Sequence, residues 1–267
     1  MQIKAKKSLG QHFLNSRSTL NKIISATQVK REDIILEIGP GTVVLTSELL
    51  KLDVNIIAVE KDTHAYQFLM NKYSEHIQNR KLMVINEDIL KTNLKEFGLK
   101  NGKYSLIANI PYYITGAILE KFLEYEPRPN HIVLLVQKEV ANRIMSQDGK
   151  ESILSISVKT FGIPKIIGTV PRGAFSPPPK VDSAIIRIDN ISNENLTKIG
   201  LETRVFFQIV KEGFSHKRKF MLSNLKNTYS PEKLNKIWLT LKIDKRARAE
   251  SITLDQWFKI AERLSKD

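Results

Sequence analysis

Between residues 34 and 188, short apolar runs alternate with segments whose apolar residues recur at helical spacing. That alternation strongly constrains the fold. A strand of a wound parallel sheet is buried on both faces and reads as an unbroken apolar run, and each crossover supplies a helix to cover it. The pattern predicts strands over 34–38, 55–59, 82–85, 104–108 and 131–137, and helices over 43–52, 63–73, 116–124 and 139–145. Runs at 165–170 and 184–188 read as a closing pair of strands on either side of a proline-rich segment, 175–180. The stretch 190–195 is polar, and from Leu201 onward only helical periodicity remains. The expectation is an α/β domain over 1–190 and a small all-helical domain over 191–267.

Charge narrows the partners. The chain of 267 residues carries a net +14, concentrated at its two ends. Residues 1–31 hold seven Lys or Arg and no acid, and residues 191–267 hold 16 Lys or Arg against 9 Asp or Glu, a net +7 in each. Such a balance suits phosphate backbones or anionic membranes. No run of about 18 apolar residues is present, so no spanning helix is expected. Lys4, Lys6 and Lys7 lead into the polar Ser8-Leu9-Gly10-Gln11-His12, unlike a secretory signal. With no Cys, disulfides, zinc ribbons and thiol nucleophiles are excluded, and five scattered His form no ligand pair. A soluble cytoplasmic protein without a metal is expected.

Acids stand at the ends of three predicted strands. Leu36-Glu37-Ile38-Gly39-Pro40-Gly41 closes the first, where glycines let backbone approach a ligand. Glu60 closes the second, in position to take both hydroxyls of a ribose. Asp88 follows the third, in position to accept from an adenine amino group. The dinucleotide fingerprint requires a glycine at 44, where this chain has Val44. Glu37 would repel a phosphate but suits a cation. S-adenosylmethionine, a nucleoside bearing a sulfonium and an amino group but no phosphate, fits that set.

Asn109-Ile110-Pro111-Tyr112-Tyr113 follows the run 104–108. It places a carboxamide, a stiff bend and an aromatic face at one sheet edge. Those parts suit alkylation of the amino group of adenine or cytosine. The Asn109 oxygen and a main-chain carbonyl near Ile110 would accept from the amine and free its lone pair, Pro111 would fix the backbone, and Tyr112 would stack on the base. Phe175, opening the stiff loop Phe175-Ser176-Pro177-Pro178-Pro179-Lys180, is expected to sandwich that base from the other side. No strong base is needed, because the proton can leave after the methyl arrives.

Taken in order, these motifs resemble the rRNA adenine dimethyltransferase family, most closely its bacterial small-subunit (KsgA-type) branch, over almost the whole chain. Lys7 to Leu14 is similar to the family's N-terminal cofactor motif, with His12 where Asn is frequent. Residues 36–41, Glu60, Asp88 and 109–112 match its cofactor and catalytic motifs, 175–183 its base-stacking loop, and 210–219 and 248–250 the branch's helical signatures. The resemblance implies a Rossmann-like class I S-adenosylmethionine-dependent methyltransferase with a C-terminal helical domain. It implies cofactor contacts at Gln11, His12, Leu14, Glu37, Gly39, Gly41, Glu60, Lys61, Asp88, Ile89 and Asn109, and catalytic roles for Asn109, Ile110, Pro111, Tyr112 and Phe175. It also implies transfer of four methyl groups to two adjacent adenosines in the 3′-terminal hairpin of 16S rRNA. The substrate would be the maturing 30S subunit, the enzyme a monomer, and Lys6, Lys7, Lys217, Arg218 and Lys219 candidate RNA contacts. Two departures stand out. Val43 replaces a common Gly or Ala, and Glu151-Ser152-Ile153-Leu154-Ser155 replaces a common Tyr-Gly-x-Leu-Ser run. The nearest rival is the family's large-subunit branch, against which 213–219 and 179–184 argue; a non-catalytic assembly factor is a further alternative, against which intact Asn109, Tyr112 and Glu60 argue.

Overall fold

The computed structural model of the chain describes residues 10–266. Lys6 and Lys7 lie outside that range. The chain forms two compact units, Met1–Ala141 with Ile163–Ile191, and Asn142–Gly162 with Ser192–Asp267.

The first unit is built on β1 (Phe13–Leu14), α1 (Arg17–Thr27), β2 (Ile34–Ile38), α2 (Val44–Leu50), β3 (Asn55–Val59), α3 (Thr63–Lys72), α4 (Ser74–Gln78), β4 (Leu82–Ile85), β5 (Ser105–Ala108), α5 (Thr115–Glu124) and β6 (His131–Gln137). After α6 (Lys138–Met145) and α7 (Ile153–Phe161) the chain returns to it with β7 (Ile163–Val170), β8 (Phe175–Ser176) and β9 (Ser183–Asp189). Seven strands form one sheet in the order β4-β3-β2-β5-β6-β9-β7. The β2, β3, β4, β5 and β6 pairings are parallel, whereas β9 runs antiparallel to both β6 and β7. Alternate side chains of the central strands, among them Ile35, Ala58, Ile107 and Val133, share one core with Leu20 and Ile23 of α1 and Leu45 and Leu49 of α2. Burial of both sheet faces is why these strands read as unbroken apolar runs.

Helices α1 and α7 were not among the predicted elements, and further features differ from the expectation. Helix α2 begins at Val44, not at 43, because Val43 is a left-handed cap with φ 63°. That is a strained conformation for a β-branched residue, one that Gly adopts freely. Phe13–Leu14 and Phe175–Ser176 form a two-stranded antiparallel ribbon, β1–β8, that no periodicity announces. The single cut after residue 190 is replaced by a two-segment division. Residues 142–162 belong with the helical unit because α7 packs there.

That second unit comprises α7 with α8 (Glu194–Lys198), α9 (Thr203–Gly213), α10 (Met221–Leu225), α11 (Pro231–Thr240) and α12 (Leu254–Ser265). The unexpected run 151–155 starts α7. Ser152 and Ser155 form its capping box, and the Glu151 carboxylate accepts from Ser146 Oγ (2.8 Å), Ser155 Oγ (2.6 Å) and Lys159 Nζ (2.8 Å). Phe161 stacks on Phe207 at 5.9 Å, and Phe214 on Trp257 at 5.6 Å. Gly213 ends α9 against α12, and a Cβ there would stand 2.5 Å from Trp257 Cη2. The Trp257 indole is fully buried and cannot swing away. Gly213→Ala should therefore destabilise the helical unit by about 1–3 kcal/mol, the cost of overpacking a filled core. Urea denaturation would register this, and an unchanged midpoint would refute the close packing.

Candidate functional site

Strands β3, β2 and β5 end level with one another, since Ile38 is paired with both Val59 and Ala108. The chain leaves β2 toward β3 on one side and has β5 on the other, so the strand order reverses at β2. Crossovers then depart on opposite sides and a crevice opens beyond the strand ends. The segments after β2 and β3 and the segment after β5 all emerge there, and one cavity collects them. Fourteen of the predicted site residues line it: Gln11, His12, Leu14, Glu37, Gly39, Gly41, Glu60, Lys61, Asp88, Ile89, Asn109, Ile110, Pro111 and Tyr112.

The glycine turn is held from below. Gly39 N–H donates to Val59 O at 2.9 Å, and Gly41 N–H donates to Glu60 Oε2 at 3.1 Å. The other carboxylate oxygen, Glu60 Oε1, accepts from Asp62 N–H at 2.8 Å. Asp62 in turn caps α3 through His64 N–H and Ala65 N–H. Burial pushes the Glu60 carboxyl up, while these amide donors pull it back down. Gly41 has φ 51°, and a Cβ on it would lie 3.0 Å from the Phe13 ring, so the ribbon β1–β8 presses directly on the turn. Asp88 lies beyond β4 proper. Its carboxylate pairs with Lys61 Nζ at 2.9 Å and accepts from Leu90 N–H at 3.1 Å, and the Lys61 bond holds it below its ordinary value.

Glu37 is the anomaly. It is 1 % exposed, inside an otherwise apolar strand, and lines the cavity. Burial pushes its carboxyl up to about 8, with Thr46 offsetting part of the rise and nearby Glu60 adding to it. No hydrogen bond of ordinary geometry reaches either of its oxygens. A buried carboxyl left without a partner is costly. Facing a cavity, it calls for a cationic ligand.

The opposite wall carries Asn109 and Tyr112. Asn109 Nδ2 donates to the main-chain oxygen of His12 at 3.4 Å. Because a carbonyl only accepts, this bond fixes which end of the carboxamide is which and leaves Oδ1 for another donor. Tyr112 Oη is 2.5 Å from Ser183 Oγ at the start of β9, which anchors the tip of its ring. The ring of His12 lies near-parallel to it, with centroids 6.0 Å apart and an interplanar angle of 20°. His12 Nδ1 is 2.8 Å from Pro177 O, so the imidazole is tied to the proline-rich loop.

Phe175 lies in the sheet core. It is 3 % exposed and belongs to the same core as Leu14, its ribbon partner, and it does not line the cavity. Pairing with β1 sets which way Phe175 points, and it points inward. Lys217, Arg218 and Lys219 are exposed on the turn after α9, in the helical unit. Residues that sequence reasoning missed are Phe13, which packs on Gly41, Ser183, which anchors Tyr112, and Asp62, which donates its amide to Glu60.

A family model described as ribosomal RNA adenine dimethylase matches residues 2–266 of this chain. Ribosomal RNA small subunit methyltransferase A of Dehalococcoides mccartyi strain BAV1 is 40% identical over 262 residues, covering 97% of this chain and 88% of that protein. Among solved structures, a dimethyladenosine transferase from Plasmodium falciparum is 27% identical with a TM-score of 0.77, covering 93% of this chain and 96% of that one. The 23S rRNA methyltransferase ErmE is 25% identical with a TM-score of 0.72, covering 95% of this chain and 100% of that one.

The Glu37 environment carries a pH signature. An unfolded chain releases this proton near 4.5, whereas the folded, ligand-free protein keeps it up to about 8. Its contribution to stability is thus full below pH 4.5 and is lost as pH rises through 8. Glu37→Gln, neutral throughout, should flatten the decline in unfolding free energy between pH 5.5 and 8.5 by a few kcal/mol, on the order of 3. Parallel pH profiles for variant and wild type in urea denaturation would remove the assignment.

Proposed function

We infer, for a chain that belongs to the ribosomal RNA adenine dimethylase family, that it is an S-adenosylmethionine-dependent 16S rRNA (adenine-N6) dimethyltransferase. It acts on two adjacent adenosines of the 3′-terminal hairpin in the maturing small subunit, as a cytoplasmic monomer. Among the described residues no helix is long and apolar enough to cross a membrane, and no group of three or more His, Cys, Asp or Glu is placed to hold a metal ion.

The observation that carries this reading is the pairing of an unpartnered, buried Glu37 with an oriented Asn109 in one cavity. S-adenosylmethionine supplies an electrophilic methyl group on a positively charged sulfur, beside a nucleoside. Glu37 answers the positive charge. Glu60 keeps lone pairs for the ribose hydroxyls beside the amide bonds it already accepts, Asp88 and Ile89 flank the adenine, and Gly39 and Gly41 keep the turn thin enough for close approach. Gln11 and Leu14 complete the wall.

On the substrate side, Asn109 Oδ1 and the main-chain carbonyl of Ile110 accept from the amino group of the target adenine. That draws the nitrogen out of conjugation and exposes its lone pair. Pro111 stiffens the backbone beside the two acceptors, and Tyr112 offers a ring whose hydroxyl Ser183 anchors. Catalysis is then mostly positioning, and the amine proton leaves to water once the nitrogen is alkylated. The exposed cations Lys217, Arg218 and Lys219, together with Lys6 and Lys7, serve the RNA backbone.

Labelled methyl transfer to small subunits lacking the modification, followed by nucleoside mapping, tests the substrate. Dimethyladenosine at two adjacent positions of the 3′-terminal hairpin is expected. Label confined to large-subunit rRNA would overturn the reading in favour of the large-subunit branch, and absence of transfer would favour an assembly factor. Asn109→Ala should lower transfer by roughly 100-fold or more, the scale of losing one oriented polar contact to the reacting group, while leaving cofactor binding in place. Equal rates in variant and wild type would refute the role of the carboxamide.

A further inference from the structure

We propose that Lys121 is a positioning residue for the cofactor's adenine: reaching across from α5, its ammonium fixes the turn 88–92 and so sets where the Asp88 carboxylate stands in the cavity. The proposal rests on the reading above, in which S-adenosylmethionine fills that cavity with its adenine beside Asp88. Lys121 does not line the cavity; it acts through the turn that does.

Three observations carry it. First, the turn has a shape of its own but needs an outside anchor. Strand β4 ends at Ile85, and residues 86–93 run as turns to the short helical turn Leu94–Phe97. Within them Lys91 N–H and Thr92 N–H donate to Asp88 O at 2.8 and 3.1 Å, and Thr92 Oγ1 donates to the same oxygen at 2.9 Å. Leu90 N–H donates to Asp88 Oδ1 at 3.1 Å. These bonds are internal, so they fix the turn's form and not its place. Second, Lys121 supplies the place. Its Nζ donates to Thr92 O at 2.7 Å and, more loosely, to Leu90 O at 3.4 Å. The peptide unit joining Leu90 to Lys91 is therefore held at both ends, its oxygen by Lys121 and its N–H by Asp88 O. Lys61 also reaches the turn, at Asp88 Oδ2, but its side chain is 60 % exposed, and an ion pair open to water contributes little. Lys121 is half-buried on a helix whose Ile118, Leu119, Phe122 and Leu123 are packed in the interior, so its hold is rigid. Burial lowers the pKa of its ammonium, and the nearby Asp88 carboxylate offsets part of that.

Third, the turn is a thin partition. Asp88 and Ile89 line the cavity on one side, and the carbonyls of Leu90 and Thr92 are taken by Lys121 on the other. Helix α5 begins at Thr115, directly after the segment 109–114 that forms another wall of the same cavity. One side chain thus ties the helix that continues one wall to the turn that makes the next. A hydrogen bond from a charged donor is stronger than one between neutral groups, which suits it to that span. Without it, Asp88 would keep its place in the turn while the turn itself shifted against the adenine.

Calorimetry on the full chain, with S-adenosylhomocysteine and with S-inosylhomocysteine, reads the position of Asp88. In the inosyl compound an oxygen replaces the amino group of the base, so that position cannot donate to a carboxylate. Wild type should prefer the adenosyl compound. Lys121→Met keeps the stem but removes the charge and the donors. It should weaken S-adenosylhomocysteine binding by roughly 5- to 50-fold, the scale of a hydrogen bond from a charged group, and S-inosylhomocysteine binding by less, so the preference narrows. Lys121→Arg returns charge and donors and should restore most of that preference. Lys121→Gln, a neutral donor, supplies the same comparison should the methionine variant fail to fold. In steady-state transfer to unmethylated small subunits, KM for S-adenosylmethionine should rise while kcat at saturating cofactor holds near wild type. An equal loss for both compounds, or an undiminished preference in Lys121→Met, would overturn the proposal, because the lysine would then support the fold and not the carboxylate. A fall in kcat with KM unchanged would also overturn it, moving the effect to the segment 109–112. Wild-type protein that binds neither compound would instead overturn the cofactor reading, and wild-type protein that binds both alike would remove Asp88 from the adenine.

Discussion

The site depends on β2 lying between β3 and β5. A parallel strand flanked on both sides has its crossovers leaving in opposite directions, and the crevice beyond its carboxyl end is unavoidable. The level ends of the three strands, set by the pairing of Ile38 with Val59 and Ala108, then bring the glycine turn, Glu60 and Asn109 within one cavity although they are far apart in the chain. The apolar runs that bury the sheet are thus also what delivers the polar groups to its rim.

On that rim, two carboxyl groups of the same chemical kind are placed in opposite circumstances. Glu60 is buried but accepts from two amides, Gly41 N–H and Asp62 N–H, which offset much of its desolvation. Glu37 is buried among strands whose own amides are engaged in the sheet; Thr46 offsets only part of its desolvation, and no hydrogen bond of ordinary geometry reaches its oxygens. Glu60 is therefore structural as well as available, because it ties the turn after β2 to the start of α3. A carboxyl so buried, facing a cavity from an apolar strand, suits a positively charged ligand. Val43 is a comparable conflict, a β-branched residue in left-handed backbone at the start of α2, and strain of about 1–3 kcal/mol at the edge of a binding cavity is where such conflicts are usually found.

How far the sequence was legible follows from what makes each feature visible. Strands buried on both faces leave unbroken apolar runs, so β2 to β6 were readable nearly to the residue, and Gly39, Gly41, Glu60 and Asn109 stood out because they interrupt those runs at their ends. The ribbon β1–β8 was not readable. Two residues per strand, Phe13–Leu14 and Phe175–Ser176, are too few to show a period, and the pairing joins segments far apart in the chain. The ribbon is also what seats Phe175 in the core. In a strand, adjacent side chains point to opposite faces, so an aromatic residue at the head of a loop reads the same whether it faces a ligand or the core. Helix α7 escaped notice because its run, 153–161, is buried along most of its length and so lacks amphipathic contrast. Its membership of the helical unit rests on contacts with α9 and α12, which no local pattern encodes.

The distribution of charge makes a final point about the kind of ligand each surface suits. The chain carries a net +14, yet Glu37, Glu60 and Asp88 all line the cavity, and Lys61, its one described Lys or Arg, is engaged with Asp88. A protein whose only anionic partner were a small phosphorylated cofactor would have the reverse arrangement. On the proposed function, long-range attraction toward an anionic polymer falls to exposed cations such as Lys217, Arg218 and Lys219, and is weakened by salt. Short-range selection inside the cavity comes from desolvated acids, which salt screens far less. An RNA phosphate entering the cavity would have to give up its hydration beside these carboxyl groups, whereas an uncharged base carries no such cost. On the proposed function, attraction at the surface and selection in the cavity are thus carried by different groups.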